Sequence, residues 1–285
     1  MKQLVVVAGC AALLTACSKS PETTADGPNT AAPAAKVAVR DLPKVEAPAI
    51  LEHIKVLADD SFEGRAPGTP GEDKTVEYLT AKFKEIGLAP GNTDGTYVQK
   101  VPLVGITPAP AQTLTIQKGG QKRTFTWSKD YVAFTKHVAD GAAISDSEMI
   151  FAGYGVTAPE FNWDDFKGVD VKGKTIVVLV NDPQVPDAAD PAKLDDKVFN
   201  GKAMTYYGRW TYKFEEGARR GAAGILIVHE EGPAGYPFQV VQGNLREKFD
   251  LVTPDKNMGR SAIEGWVTLE TARACLLYTS DAADE

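Results

Sequence analysis

The chain has 285 residues, 43% hydrophobic and 24% charged, an ordinary globular composition with room for one or two domains. Its 31 basic and 38 acidic residues leave a net charge of -7, which gives no general pull toward nucleic acid or an anionic membrane surface. Three cysteines, Cys10, Cys17 and Cys275, leave no pair inside the expected folded region and no CxxC, so they support neither a disulfide framework nor structural zinc.

The chain opens on the basic start Met1-Lys2-Gln3 and an apolar run over 4–14. A bilayer span needs about 20 apolar residues, so this run suits the core of a signal peptide instead. It ends in Leu14-Thr15-Ala16-Cys17, which resembles the lipobox of bacterial lipoproteins. The resemblance implies a signal peptide over 1–16 and lipidation of the Cys17 thiol. It also implies an exported protein, and the non-acidic Ser18 points to the outer membrane, facing the periplasm or the outside. Several acyl chains would hold it stably, since each buried CH2 contributes about 0.8 kcal/mol. Residues 17–45, rich in Pro, Ala, Thr and Ser, read as a flexible tether.

Ile50, Ile54 and Leu57 recur at helical spacing and predict a short helix over 47–58, with His53 flanking its apolar face as a surface or boundary residue. A loop at 63–68 precedes a second helix. Thr69 is placed to cap it, Pro70 to start it and Glu72 to complete a capping box. Val76, Leu79, Phe83 and Ile86 line one face, and Gly87 is the expected left-handed stop, with Leu88 folding back. That apolar face calls for a sheet to cover it. Strands follow over 97–103, 114–116 and 124–127.

Beyond residue 136 the sequence predicts strands over 149–156 and 175–180, the second entered by a turn over 170–174. A polar loop occupies 183–203. A helix from Trp210 to Arg220 stops at Gly221, with Trp210, Tyr212 and Phe214 as packing residues. A buried strand over 225–228 follows, Trp266-Val267 closes the unit, and a helix begins over 271–277.

Two blocks go further. LADDSFEGRAPGTPGEDKTVEYLTAKFKEIGLAPG, with YVQKVPLVG after it, resembles the opening of the co-catalytic di-zinc aminopeptidases, the M-28 peptidases. MIFAGYGVTAPEFNWDDFKGVDVKGKTIVVLVNDP, followed by GRWTYKFEEGARRGAAGILIVHE and GPAGYPFQVV, resembles the protease-associated domain inserted in many of them. The resemblance covers about 46–275. It implies an α/β fold: the N-terminal part of an α/β/α zinc-peptidase domain over 46–135, an inserted, mainly β (α+β) domain over 136–268, and a return to the peptidase domain at 269–275. The final 276–285, LLYTSDAADE, read as a non-native tail.

The activity implied is zinc-dependent hydrolysis of N-terminal peptide bonds, with peptides as substrates and two zinc ions about 3.5 Å apart. In the family the metal ligands follow the inserted domain, in a His-x-Asp element and an Asp-Asn element. Neither occurs here, so the chain is expected to be an inactive N-terminal fragment that binds no zinc, with no catalytic or metal residue to assign. Of the three histidines, His137 sits at the domain junction. His229 heads His229-Glu230-Glu231 without the Pro-Cys-x-x-Cys of zinc deaminases and reads as structural. Arg65 reads as pinning its loop to a carboxylate. Gly64, Gly68 and Gly71 read as turn residues, since their spacing fits no phosphate-binding loop. Two alternatives stay open: a non-catalytic lipoprotein that uses the inserted domain as a binding module, and a glutaminyl-cyclase-like enzyme.

Overall fold

The computed structural model describes residues 38, 41–42, 44–243 and 247–276, without the Leu276 side chain. The segment expected to be a signal peptide, 1–16, Cys17, most of the segment expected to be a tether and residues 277–285 lie outside the described residues. Two compact units divide between Val98 and Gln99. No helix among the described residues is long and apolar enough to cross a membrane.

The first unit holds helices α1 (Ala47–Leu57) and α2 (Pro70–Glu85). The His53 ring lies 2.6 Å from the Tyr78 hydroxyl and ties the two together. Between them, Asp59 caps a 3-10 segment, Asp60–Arg65, by accepting from the Ser61 N–H at 3.0 Å. The helix start differs from the expected capping box. The Thr69 hydroxyl donates to the Ala66 carbonyl, and Glu72 reaches past Thr69 to accept from the Gly68 N–H. Gly71 is required where loop and helix meet, because a Cβ there would lie 2.0 Å from the Phe62 carbonyl oxygen. At the other end Gly87 (φ 78°) takes the left-handed conformation, and the Leu88 N–H donates to the Phe83 carbonyl at 3.0 Å, closing the expected stop.

The second unit begins with β1 (Leu103–Ile106), β2 (Thr113–Lys118), β3 (Gln121–Thr126) and β4 (Tyr131–Phe134). The strand expected over 97–103 starts only at Leu103, after Pro102, which has no N–H to give a ladder. β5 (Met149–Phe151) stops short of the expected Val156, because Gly153 and Gly155 turn the chain at positive φ into β6 (Thr157–Ala158) and β7 (Trp163–Asp164). Then come β8 (Thr175–Leu179), α3 (Trp210–Arg219), β9 (Gly224–His229), α4 (Glu231–Ala234), α5 (Gln239–Gln242), β10 (Lys248–Leu251), β11 (Ile263–Thr268) and α6 (Leu269–Leu276).

The class is mixed α/β, as expected. Its centre is a five-stranded sheet ordered β4-β11-β9-β8-β5, in which β5, β8, β9 and β11 run parallel and β4 is antiparallel at one edge. Strand periodicity divides the core. Ile176, Val178, Ile225, Ile227, Trp266 and Val132 face Phe214 of α3 and Val241 of α5. Val177, Leu226, Val228, Val267 and Tyr131 face Phe125 of β3 and Ala272 of α6. Helices therefore cover one face, while the β2–β3 hairpin and α6 cover the other. Each fully buried side chain of this size contributes roughly 1.5–3 kcal/mol. The hairpin and β4 belong to this unit, so the structural division falls well before the boundary read at 135/136 from the sequence. The loop over 183–203 has no helix or strand, but Phe199 within it is fully buried against Phe161, Trp163 and Tyr207.

Candidate functional site

In open α/β sheets ligands bind outside the carboxyl ends of the parallel strands. Here β9 and β11 run side by side in register, and their last residues, His229 and Thr268, are partners. A cleft of about 460 Å³ opens at this point. Its lining includes His229, Glu230, Glu231, Pro233, Phe238 and Glu270. The sequence places these groups simply. β9 ends at the imidazole, and the chain turns at once into α4, which carries Glu231. β11 ends at Thr268, whose hydroxyl accepts from the Thr271 N–H at 3.1 Å and caps α6, leaving Glu270 in the exposed first turn.

His229 is only 4% exposed. Tyr236, Phe238 and Trp266 surround its ring with centroids at 5.4, 5.4 and 5.7 Å. Its Nε2 is buried and has no hydrogen-bond partner. Burial pushes its pKa below the usual imidazole value, while Glu231 and the Tyr236 main chain pull the other way. A buried polar atom without a partner is costly and is an exception in folded proteins. The structural role expected for His229 thus accounts for its ring and leaves Nε2 unexplained. Glu230 and Glu231 enter the sequence reading only within the run His229-Glu230-Glu231, read as structural, and Glu270 carries no motif. The signal that would have found them is the parallel pairing of β9 with β11, which single-strand patterns do not reveal.

Two further buried charges lie elsewhere in this unit. Lys213 of α3, 1% exposed, donates from Nζ to the Asn181 carbonyl at 3.0 Å, with the Tyr154 and Tyr212 rings near it. Burial lowers its pKa to about 7 against the pull of Asp182 and Asp165. Glu264 of β11 is fully buried; neither carboxylate oxygen has a hydrogen-bond partner, and Oε1 forms a long ion pair with Arg260 Nη1 at 3.8 Å. Burial raises its pKa to about 7, opposed by Lys136 and Arg260. Cys275 is half-buried, and its thiol is pushed up to about 11, too weakly ionised for a nucleophile at neutral pH.

The remaining sequence candidates scatter. His53 lies on α1 against Tyr78. His137 is buried, with Nε2 2.9 Å from the Arg260 carbonyl oxygen. Arg65 is exposed and makes no ion pair among the described residues. Its loop is instead held by Lys74, which donates to the Ser61 carbonyl at 2.5 Å. Tyr212 and Phe214 pack as expected, while Trp210 stays 43% exposed, edge-on to Phe214. Among the described residues no three His, Cys, Asp or Glu side chains are placed to hold a metal, so the residues present do not fit a zinc site.

No protein-family model matches the chain, and no curated protein matches it. Among solved structures it is similar to an aminopeptidase from Aneurinibacillus sp. strain AM-1, at 20% identity and a TM-score of 0.35. The similarity covers 84% of this chain and 42% of that enzyme, so the chain spans less than half of its length. At that TM-score the likeness supports no inference about activity.

Proposed function

We propose that this chain is part of an exported zinc-dependent aminopeptidase that removes N-terminal residues from peptides and is anchored to the outer membrane through lipid on Cys17. The observation that supports this most is the order of the two family-like blocks, the loop and helix over 57–91 followed by the block that begins at Met149. The two zinc ions would be held by the ligand block that the family places after its inserted domain, so this chain alone would bind no stoichiometric zinc. The lipobox at 14–17 supports export and anchoring.

The test uses the protein encoded by the entire gene, purified from its own host. Two zinc ions per chain by elemental analysis are expected, with hydrolysis of leucyl-p-nitroanilide that chelation abolishes and N-acetylation of the substrate prevents. Cleavage of the acetylated substrate, or no cleavage by zinc-loaded protein, would overturn the reading. Ammonia release from a glutaminyl peptide in place of hydrolysis would move it to the cyclase. Labelled palmitate should enter the chain, but not its Cys17→Ser variant.

A further inference from the structure

We propose that the β1–β10 ribbon is a pH-sensitive flap over Glu264, seated on the central sheet while that carboxyl is protonated and loosened from it when the carboxyl ionises. The device does not depend on the peptidase reading.

The ribbon is attached by charge rather than by apolar packing. Among the described residues β1 and β10 pair with each other and share no ladder with the five-stranded sheet. Along β10 the usual alternation is inverted. Phe249 and Leu251 lie outward, 45% and 54% exposed, while Lys248 and Asp250 are partly buried on the inner face. Lys248 Nζ lies 4.2 Å from the centroid of the Phe134 ring, and Asp250 Oδ2 lies 3.4 Å from Lys136 Nζ. Phe134 is the cross-strand neighbour of Glu264, and Lys248 and Asp250 both act on the Glu264 charge, so the inner face of β10 meets the sheet at this carboxyl.

Glu264 is fully buried, and neither of its oxygens has a hydrogen-bond partner. A buried carboxylate is normally paired and hydrogen-bonded. The charges around this one are Lys136 after β4, Lys248 and Asp250 of β10, and Arg260 at 3.8 Å, and none of the cations hydrogen-bonds to it. His137 engages the Arg260 carbonyl through Nε2, and Glu247 lies with Gly105 on the ribbon's outer face. The adjoining positions of β9 and α3 present Ile225 and Phe214, which are apolar. A neutral carboxyl tolerates such a site, whereas an ionised one lacks the donors that would replace water, and burial raises its pKa to about 7. With the ribbon lifted, water reaches the oxygens and the ordinary value of 4.5 returns. The seated state therefore keeps a proton that the lifted state has lost, and opening becomes about fiftyfold more frequent between pH 5 and 8. Lys248, whose pKa burial lowers, contributes with the opposite sign.

The test is amide hydrogen exchange of the 285-residue chain from pH 5 to 8, corrected for the pH dependence of free amides. Protection over 103–106 and 248–251 should fall about fiftyfold across that range. The β2–β3 hairpin is the reference, because its local opening leaves Glu264 covered, and its protection should not follow the same course. Strand β9 marks global unfolding. Low urea should speed exchange in β9 and leave the ribbon unchanged, since a local opening exposes little new surface. The Glu264→Gln variant keeps the shape of the side chain without the ionisation and should abolish the pH response of the ribbon. The hairpin and urea comparisons use the parent chain alone, so they hold whether or not the variant folds. The proposal is overturned if ribbon protection does not fall with pH, or if the hairpin falls equally. It is also overturned if the ribbon exchanges only together with β9 and with the same urea dependence, or if Glu264→Gln keeps the response.

Discussion

Helices α1 and α2 together bury only Gly71, whereas all six residues of β9 are buried. Ile50, Leu51 and Ile54 of α1 and Leu79 and Phe83 of α2 remain exposed, though α2 carries clear start and stop signals. In the second unit Lys213 and Glu264 are taken out of water, the opposite extreme. The contrast separates two sources of order. Local chemistry fixes where a helix begins and ends, but most helical stability comes from packing an apolar face. The first unit shows the former with little of the latter among its described residues. The second draws on burial so heavily that it also encloses charges.

The sharpest way to break this contrast is to cut the same side chain from each unit. Phe214→Ala should cost about 3–5 kcal/mol, because Phe214 is 1% exposed in the core, whereas Phe83→Ala should cost less than about 0.5 kcal/mol. All four tryptophans lie at or beyond residue 127, so urea unfolding followed by tryptophan fluorescence reads the cost of Phe214→Ala in the second unit, while amide exchange along α2 reads that of Phe83→Ala in the first. Equal costs would remove the distinction.

The enclosed charges give an effect of comparable size with a defined sign. Glu264 is raised from 4.5 to about 7, so between those values the folded state holds a proton that the unfolded state has lost, and stability falls as pH rises. Lys213 is lowered from 10.5 to about 7, so from pH 7 toward 10.5 the unfolded state binds the extra proton, and stability rises. The second unit should therefore be least stable near pH 7, by about 3 kcal/mol relative to the acidic flank and about 5 kcal/mol relative to the basic one. Glu264→Gln should flatten the acidic limb and Lys213→Met the basic one. A profile unchanged in both variants would show that these groups are not the cause.

The smallest backbone effect belongs to the first unit. Gly87→Ala places a Cβ at φ 78°, which costs about 1–2 kcal/mol, yet nothing lies near enough to clash. Amide exchange at the end of α2 should quicken while the fluorescence midpoint stays put.

How much could be read beforehand follows the same division. The Gly87 stop and the α2 start at Pro70 were legible because their signals lie within a few residues. The Thr69–Glu72 box was legible only in kind, since Glu72 found the Gly68 N–H instead. Continuous apolar runs located β8 and β9, and alternation located β2 and β3. Pairing was not legible. β10, with its sequence Lys-Phe-Asp-Leu, carries no strand signal strong enough to stand alone and exists by pairing with β1. For the same reason the pairing of β4 with β11, across the boundary read at 135/136, has no local signal. The candidate site suffered most, because it is made where two parallel strands end together. His229 was visible as a strand terminus, but that Glu270 meets the same cavity depends on a register no local pattern records.

The antiparallel edge of the central sheet sets a timetable for its assembly. Val132 of β4 pairs with Trp266 of β11, so the ribosome makes one partner 134 residues ahead of the other. At synthesis rates of about 5–20 residues per second, Tyr131–Phe134 must wait roughly 7–27 seconds with its ladder groups unanswered. During that interval the nascent strand offers an open edge to whatever binds extended backbone, a chaperone or another copy of itself.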